Sequence, residues 1–336
     1  MKNRFQELDC LRGLAASLVV CFHILGDYAF FKVGVTGVDL FFIISGFVIF
    51  MSINAVSSGK EFVINRLSRL YPTYWVCVTL TFFLSCAGGA LHIKTYLANM
   101  TMFQYYLGKP DLDGSYWTMI IEMLFYILIL ILFTTKLLKY IIEIGVTIVL
   151  GVLANSILRV NNLHFMDTYY VPLLNFFPLF FAGVIFYRIY NRQGNSASNY
   201  LIILLCYITQ IMLFKFTKAS WRLNQPEYAL MLAIYFTLVT LFVNGWLKFI
   251  VVRPLLFLGK ISFSLYLIHQ YFLLLVAVPF LMHEFHISWL AASLIAIPVA
   301  VLIATLINYF FEVPGTKLMK DFLKRKFMTK QITASH

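Results

Sequence analysis

Apolar runs of about twenty residues recur along the chain, separated by short polar breaks. They fall near 8–28, 36–56, 67–87, 117–135, 140–158, 170–190, 200–217, 228–247, 255–282 and 288–311. A helix needs roughly 20 apolar residues to cross about 30 Å of hydrocarbon, so each run is of spanning length or close to it. Stretches such as Tyr126–Phe133 do not alternate apolar with polar residues, which argues against a barrel. In lipid every backbone polar group needs a partner within the protein, which a helix supplies from its own segment. The pattern predicts an all-α fold, a polytopic transmembrane bundle of about ten helices.

Composition strengthens this picture. Of the 336 residues 61% are hydrophobic and 12% charged, about half the charged share of a soluble domain. Such a chain cannot cover a water-facing surface, which excludes soluble enzymes. The net charge of +12 would suit nucleic acid, but its placement argues for a membrane instead. With the N-terminus in the cytoplasm, 19 of the 26 Lys and Arg fall on the inner side, including Lys60, Arg66, Arg69 and the cluster from Lys317 to Lys330. The positive-inside rule expects this asymmetry, and it predicts N-in, C-in topology with no nucleic-acid partner. The division expected is a membrane domain over 1–315 and a basic cytoplasmic tail over 316–336. Lys2 and Arg4 before an apolar run resemble a signal peptide, but Asp9 and Arg12 interrupt the run and no small-residue cleavage site closes it. An uncleaved first helix is expected. The five cysteines form no CxxC pair, so neither a disulfide framework nor a metal site is expected.

Ionisable residues within apolar runs are expensive and mark functional interiors. The first run carries Asp9, Arg12 and His23. Arg12 and His23 are separated by three helical turns, about 20° apart around the axis and roughly 16 Å along it, so they share a face. Arg66 and Arg69 open the third run at i and i+3 and point the same way. They read either as ordinary positive-inside anchors or as a phosphate clamp, because guanidinium forks match phosphate oxygens bidentately. Arg12, expected at the same membrane level, favours the clamp. Asp39 in the second run and Glu122 in the fourth belong to the outer half, where they could orient His23, bind hydroxyls or serve as inert interior acids. His269 lies mid-span beyond Ser262, Ser264 and Tyr266. It reads equally as a packing hydrogen bond or as part of a site. His283 and His286 lack the i, i+4 spacing of a helical zinc pair. His92, His164 and His336 are expected to be solvated.

Six segments in order then carry a family resemblance. They are Leu8-Asp9-Cys-Leu-Arg12 through His23; Gly37-Val-Asp39-Leu-Phe-Phe-Ile-Ile-Ser45-Gly46; Arg66-Leu-Ser-Arg69-Leu-Tyr71-Pro72; Trp117 through Glu122-Met-Leu-Phe-Tyr126; Phe257-Leu-Gly259 through Ser264-Leu-Tyr266-Leu-Ile-His269; and Glu312-Val-Pro314. Over essentially its whole length the chain resembles the acyltransferase 3 family of integral membrane acyltransferases, in the form that decorates exopolysaccharides. Some members carry a fused extracytoplasmic esterase-like domain. Only a basic tail follows the last run here, so the expectation is that the protein acts alone or with a separate partner.

The resemblance implies transfer of an acyl group, acetyl for preference, from acyl-CoA to a hydroxyl of a cell-surface carbohydrate such as exopolysaccharide, O-antigen or a lipid-linked sugar. It places the protein as a multi-pass component of the inner or plasma membrane, beside polysaccharide-biosynthesis partners. Acetyl-CoA, or another acyl-CoA, enters as co-substrate, with no metal. Arg12, Arg66 and Arg69 are then the CoA-binding residues. His23 is the general base, with Asp39 or Glu122 fixing its tautomer, since a sugar hydroxyl needs a base poised near neutral pH. A covalent acyl-His23 intermediate is the other route open. Ser115, Trp117, Tyr266 and His269 are candidates to bind substrate, and Ser45 and Tyr266 to stabilise the oxyanion. A transporter or flippase for a lipid-linked saccharide is the competing reading. Against it, the sequence contains no inverted repeat. Oligomeric state is left open.

Overall fold

A computed structural model describes residues 5–87, 89, 93–159 and 169–328, and among them every regular element is helical. His92, His164 and His336 lie outside the described residues. Among the described residues seven helical stretches are long and apolar enough to span a bilayer: Gln6–Leu25, Lys32–Ile53, Trp117–Thr134, Leu137–Leu158, Gln225–Val243, Arg253–Phe285 and Trp289–Phe327. Three expected runs look different. The run at 170–190 shortens to Phe177–Tyr190, because Pro172 opens a separate 3₁₀ turn and Pro178 sits in the first turn of the helix, where its missing N–H costs nothing. The run at 200–217 becomes Ser196–Met212, started by the Asn195 side chain, which accepts from the Ala197 and Ser198 amides. The run at 67–87 is the later part of a 29-residue helix that begins at Gly59 and carries four charges in its first eleven residues.

The chain divides into two compact units. One comprises Met1–Phe22, Gly26–Ala55 and Leu124–Gly259; the other comprises His23–Leu25, Val56–Met123 and Lys260–His336. The helices are α1 (Gln6–Leu25), α2 (Gly37–Ile53), α3 (Gly59–Ala87), α4 (Ile93–Asn99), α5 (Trp117–Thr134), α6 (Ile141–Arg159), α7 (Phe177–Tyr190), α8 (Ser196–Met212), α9 (Gln225–Val243), α10 (Arg253–Tyr271), α11 (Val278–Phe285), α12 (Trp289–Ile307) and α13 (Val313–Phe327).

In the first unit α7 is the central helix. Its first ten residues, Phe177 to Phe186, are apolar on every side and all buried, as expected of a helical stretch with no polar face. It packs on α2, α8 and α9. At the α2–α7 crossing Gly46 faces Gly183, and a Cβ on Gly183 would lie 2.9 Å from Gly46 Cα and collide with the Ile43 carbonyl. Between apolar helices in lipid, such small residues let backbones touch and gain dispersion contacts. Phe180 then stacks between Phe42 and Phe125, at centroid distances of 4.9 and 4.5 Å. The start of α9 is a capping box of Asn224 and Glu227.

In the second unit α3 runs unbroken through Pro72, and α13 packs along it. Lys324 Nζ lies 3.1 Å from Glu61 Oε1, and a Cβ on Gly315 would come within 2.9 Å of Pro72. The segment expected as a tail from 316 is therefore helical through Phe327. Two π-helical segments, Phe272–Ala277 and Asn308–Glu312, interrupt the ladders after α10 and α12. The second is tied to α10: Ser264 donates to Glu312 at 2.6 Å, and the Asn308 side chain to the Lys260 carbonyl at 3.1 Å. The connection 100–116 is folded onto α3. Trp75 and Tyr71 donate to the Met100 and Thr101 carbonyls, both at 2.9 Å. Asn99 closes the connection by accepting from Leu112 N and donating to Pro110 O.

Candidate active site

The second unit gathers titratable groups around α10. The end of α1 enters this unit at His23, and the indole of Trp289, at the head of α12, donates to the Ile24 carbonyl at 2.7 Å. That carbonyl is one of the orphan acceptors of a helix C-terminus, so the indole fixes the turn that carries His23. On α10, His269 is completely buried. Its Nε2 lies 3.2 Å from His23 Nδ1, the rings meeting edge-on at 70° with centroids 4.9 Å apart. Its Nδ1 lies 2.7 Å from the Tyr266 carbonyl one turn back. The group facing Nδ1 of His23 is thus a second imidazole.

A loop just ahead of α5 clamps the same stretch of α10. Asp113, fully buried, accepts from the Ser115 amide at 2.7 Å and, across to α10, from the Tyr271 amide at 2.8 Å. Tyr271 sits where α10 gives way to the first π-helical segment. The Gln270 carboxamide packs against Gly114, in the space that a Cβ there would fill. The Tyr266 hydroxyl donates to the Ser115 carbonyl at 3.2 Å and lies 3.0 Å from the Thr118 hydroxyl. Burial pushes the Asp113 carboxyl above the usual carboxylate range, against the pull of its bonds from Ser115 and Tyr271. Residues 266–271 are therefore held from one side by four contacts to 113–118, and His269 lies within the clamped stretch. Trp117 begins α5. Glu122 lies one turn beyond Thr118, on the helix face that meets Tyr266.

A family model described as an acyltransferase domain matches residues 5–309. The chain belongs to the acyltransferase 3 family. Two relatives, each provisionally named, agree with that assignment. An acetyltransferase of the Acidianus two-tailed virus is 22% identical over 283 residues, covering 80% of this chain and 83% of that protein. The membrane-bound transacylase BcsY of Komagataeibacter xylinus is 42% identical over 83 residues, a local match of 24% of this chain and 20% of that protein. No solved structure matches the chain significantly. This acyltransferase 3 protein is accordingly a membrane O-acyltransferase.

In the acyltransferase, His23, Ser115, Tyr266 and His269 meet within the second unit, with Trp117 and Glu122 on the adjoining turns of α5. Arg66 and Arg69 lie in the same unit, near the start of α3. Arg66 is half-buried with its guanidinium 5.9 Å from the Phe62 ring, and Arg69 is exposed. Arg12 and Asp39 belong to the first unit. Arg12 lies 3.9 Å from Asp9 one turn away. Asp39 is buried and accepts from Tyr228 of α9, whose hydroxyl in turn receives the Gln210 amide at 3.2 Å. Ser45 is half-buried on α2. Asp113 and Thr118 were not legible as site residues in the sequence. The signal available for Asp113 was an Asp-Gly-Ser turn placed two residues before the α5 helix begins. Among the described residues no group of three or more His, Cys, Asp or Glu side chains could hold a metal.

Proposed function

We propose that this acyltransferase moves an acetyl group from acetyl-CoA to a hydroxyl of a cell-surface carbohydrate, with His23 as general base. The observation that carries this reading is a transmembrane histidine facing a second, buried imidazole in a chain of acyltransferase family. The names of the relatives, an acetyltransferase and a membrane-bound transacylase, support acetyl transfer and the membrane setting. A sugar hydroxyl is far too weak an acid to attack unaided, and a base with a pKa near ambient pH is best matched to the task. His23 takes the hydroxyl proton as the oxygen forms a bond to the thioester carbonyl carbon. The tetrahedral intermediate collapses, the carbon–sulfur bond breaks, and the CoA thiolate leaves with the proton that His23 returns. Arg66 and Arg69 bind the CoA phosphates, and Arg12 is assigned to the same ligand. Ser115, Trp117 and Tyr266 line the acceptor side, and Asp39 and Glu122 are the acidic groups of the outer half. Incubating the purified protein with radiolabelled acetyl-CoA and the glycan fraction of its host membrane is expected to label the glycan, and mass analysis should show one acetyl group per modified sugar. Failure to label any carbohydrate, together with unchanged surface glycans in cells lacking the protein, would refute the reading.

The same proposal threads ten helices through the cell membrane with both termini inside, which places Arg66 and Arg69 on the side where CoA is found. It rests on the charge asymmetry of the sequence. Single cysteines introduced at Ser58 and Ser335, after replacement of the native cysteines, are expected to resist a membrane-impermeant maleimide in intact cells and to react once the membrane is opened. Efficient labelling of either in intact cells would invert the topology and remove the donor assignment.

A further inference from the structure

General-base catalysis requires the lone pair of His23 on the nitrogen that meets the substrate hydroxyl, and the two imidazoles determine which nitrogen that is. The Tyr266 carbonyl, 2.7 Å from His269 Nδ1, can only accept a hydrogen bond. His269 is completely buried, where a charged ring would be expensive, so it is neutral and its single N–H is on Nδ1. Its Nε2 then carries a lone pair. That nitrogen lies 3.2 Å from His23 Nδ1, and two ring nitrogens so placed need one proton between them. His269 has none to give there, so His23 Nδ1 supplies it. The lone pair of His23 is left on Nε2, on the opposite side of the ring.

We propose that His269 is a positioning residue, holding His23 in the tautomer whose Nε2 accepts the substrate proton. The inference rests on the reading of His23 as the base. The Tyr266 carbonyl is the outer anchor, and Asp113, Gly114, Ser115 and Thr118 keep α10 in place through their contacts with Tyr266, Gln270 and Tyr271. As Nε2 takes the proton, the Nδ1–H bond to His269 becomes charge-assisted and so strengthens when it is needed. His269 touches neither substrate; it acts through His23, as the carboxylate of a serine-protease triad acts through its histidine.

Side chains of different reach test this. His269→Gln extends a carboxamide oxygen to about the position of Nε2, where it can accept from His23. His269→Asn reaches only to about the position of Nδ1, and His269→Leu offers no acceptor. With radiolabelled acetyl-CoA and the host glycan fraction, the Asn and Leu variants are expected to lose about 10²-fold or more in kcat, the lower end of what a mispositioned base costs, while the acetyl-CoA KM stays within about 2-fold. The Gln variant should recover at least about a tenth of the wild-type rate. A double-mutant cycle completes the test. In a His23→Ala background, His269→Leu is expected to cost nothing more, because the group it positions is gone. Equal losses in all three variants, accompanied by lowered unfolding temperatures, would make His269 a packing residue and overturn the proposal. A full additional loss in the His23→Ala background would make it an independent participant, and unchanged kcat in His269→Leu would remove it altogether. The His23→Ala arm separately reports whether the base assignment stands. Should the Leu variant fail to fold, the contrast between the Gln and Asn variants decides between positioning and packing.

Discussion

Replacing His23 with Ala is expected to abolish acyl transfer while leaving a folded, membrane-inserted protein. Loss of a general base costs about 10²–10⁴-fold, so a variant retaining more than about a tenth of the wild-type rate would show that the proton goes elsewhere. The structure also explains why the fold should survive. His23 lies in the last turn of α1 and is only half-buried, and the turn is held by Trp289 through a main-chain carbonyl that the substitution does not remove. His269 keeps its bond to Tyr266. The measurement is the rate of label transfer by purified variant and wild type, beside size-exclusion profiles and titration with CoA. A loss of rate with unchanged CoA affinity and an unchanged profile is the expected combination.

Substituting Lys for both Arg66 and Arg69 should weaken CoA binding by about 5- to 150-fold for each charged hydrogen-bond set lost, corresponding to roughly 1–3 kcal/mol. The variant separates two roles that an alanine change would confound. A positive-inside anchor is a matter of charge, which Lys supplies. A phosphate clamp is a matter of geometry, and an ammonium group cannot make the planar two-pronged contact of a guanidinium. The two side chains also differ in setting. Arg66 is half-buried against the Phe62 ring, whereas Arg69 is exposed, so the single Arg69→Lys change reports the clamp with the least disturbance of packing. Calorimetric titration of CoA into detergent-solubilised protein, with dephospho-CoA as a control for the 3′-phosphate, reads the effect. Unchanged affinity in a correctly inserted double variant would return both residues to the role of anchors.

The helices were legible because lipid imposes a length and an apolarity that the sequence displays directly. Their ends were less so. Pro172 and Pro178 moved the start of α7 inward, and the basic residues from Lys317 on disguised a helix. Their spacing leaves Leu318 and Phe322 on one face of α13, a pattern that a run of lysines hides from any reading based on charge density. Neither π-helical segment has a compositional mark. In the site, His23, Arg66 and Arg69 stood out because a charged or polar side chain in an apolar run is conspicuous. The meeting of His23 with His269 did not, since 246 residues separate them and no periodicity reports a contact between distant helices. Asp113 was hidden for the opposite reason. It lies in a polar connection where another carboxylate attracts no notice, and only the fold shows that it is buried and bonded to the amide of Tyr271.

The Tyr266 carbonyl that faces His269 Nδ1 belongs to the main chain, and this has a consequence for genetics. Any residue at position 266 other than one that distorts the helix presents the same oxygen, so no side-chain replacement deletes it. A saturation screen of this protein will score Tyr266 for its hydroxyl, which reaches Ser115 and Thr118, and will be blind to its carbonyl. The outermost member of the chain of contacts is thus heritable without being encoded by any particular codon, and an ester substitution of the backbone, not a mutation, is the chemistry that would reach it.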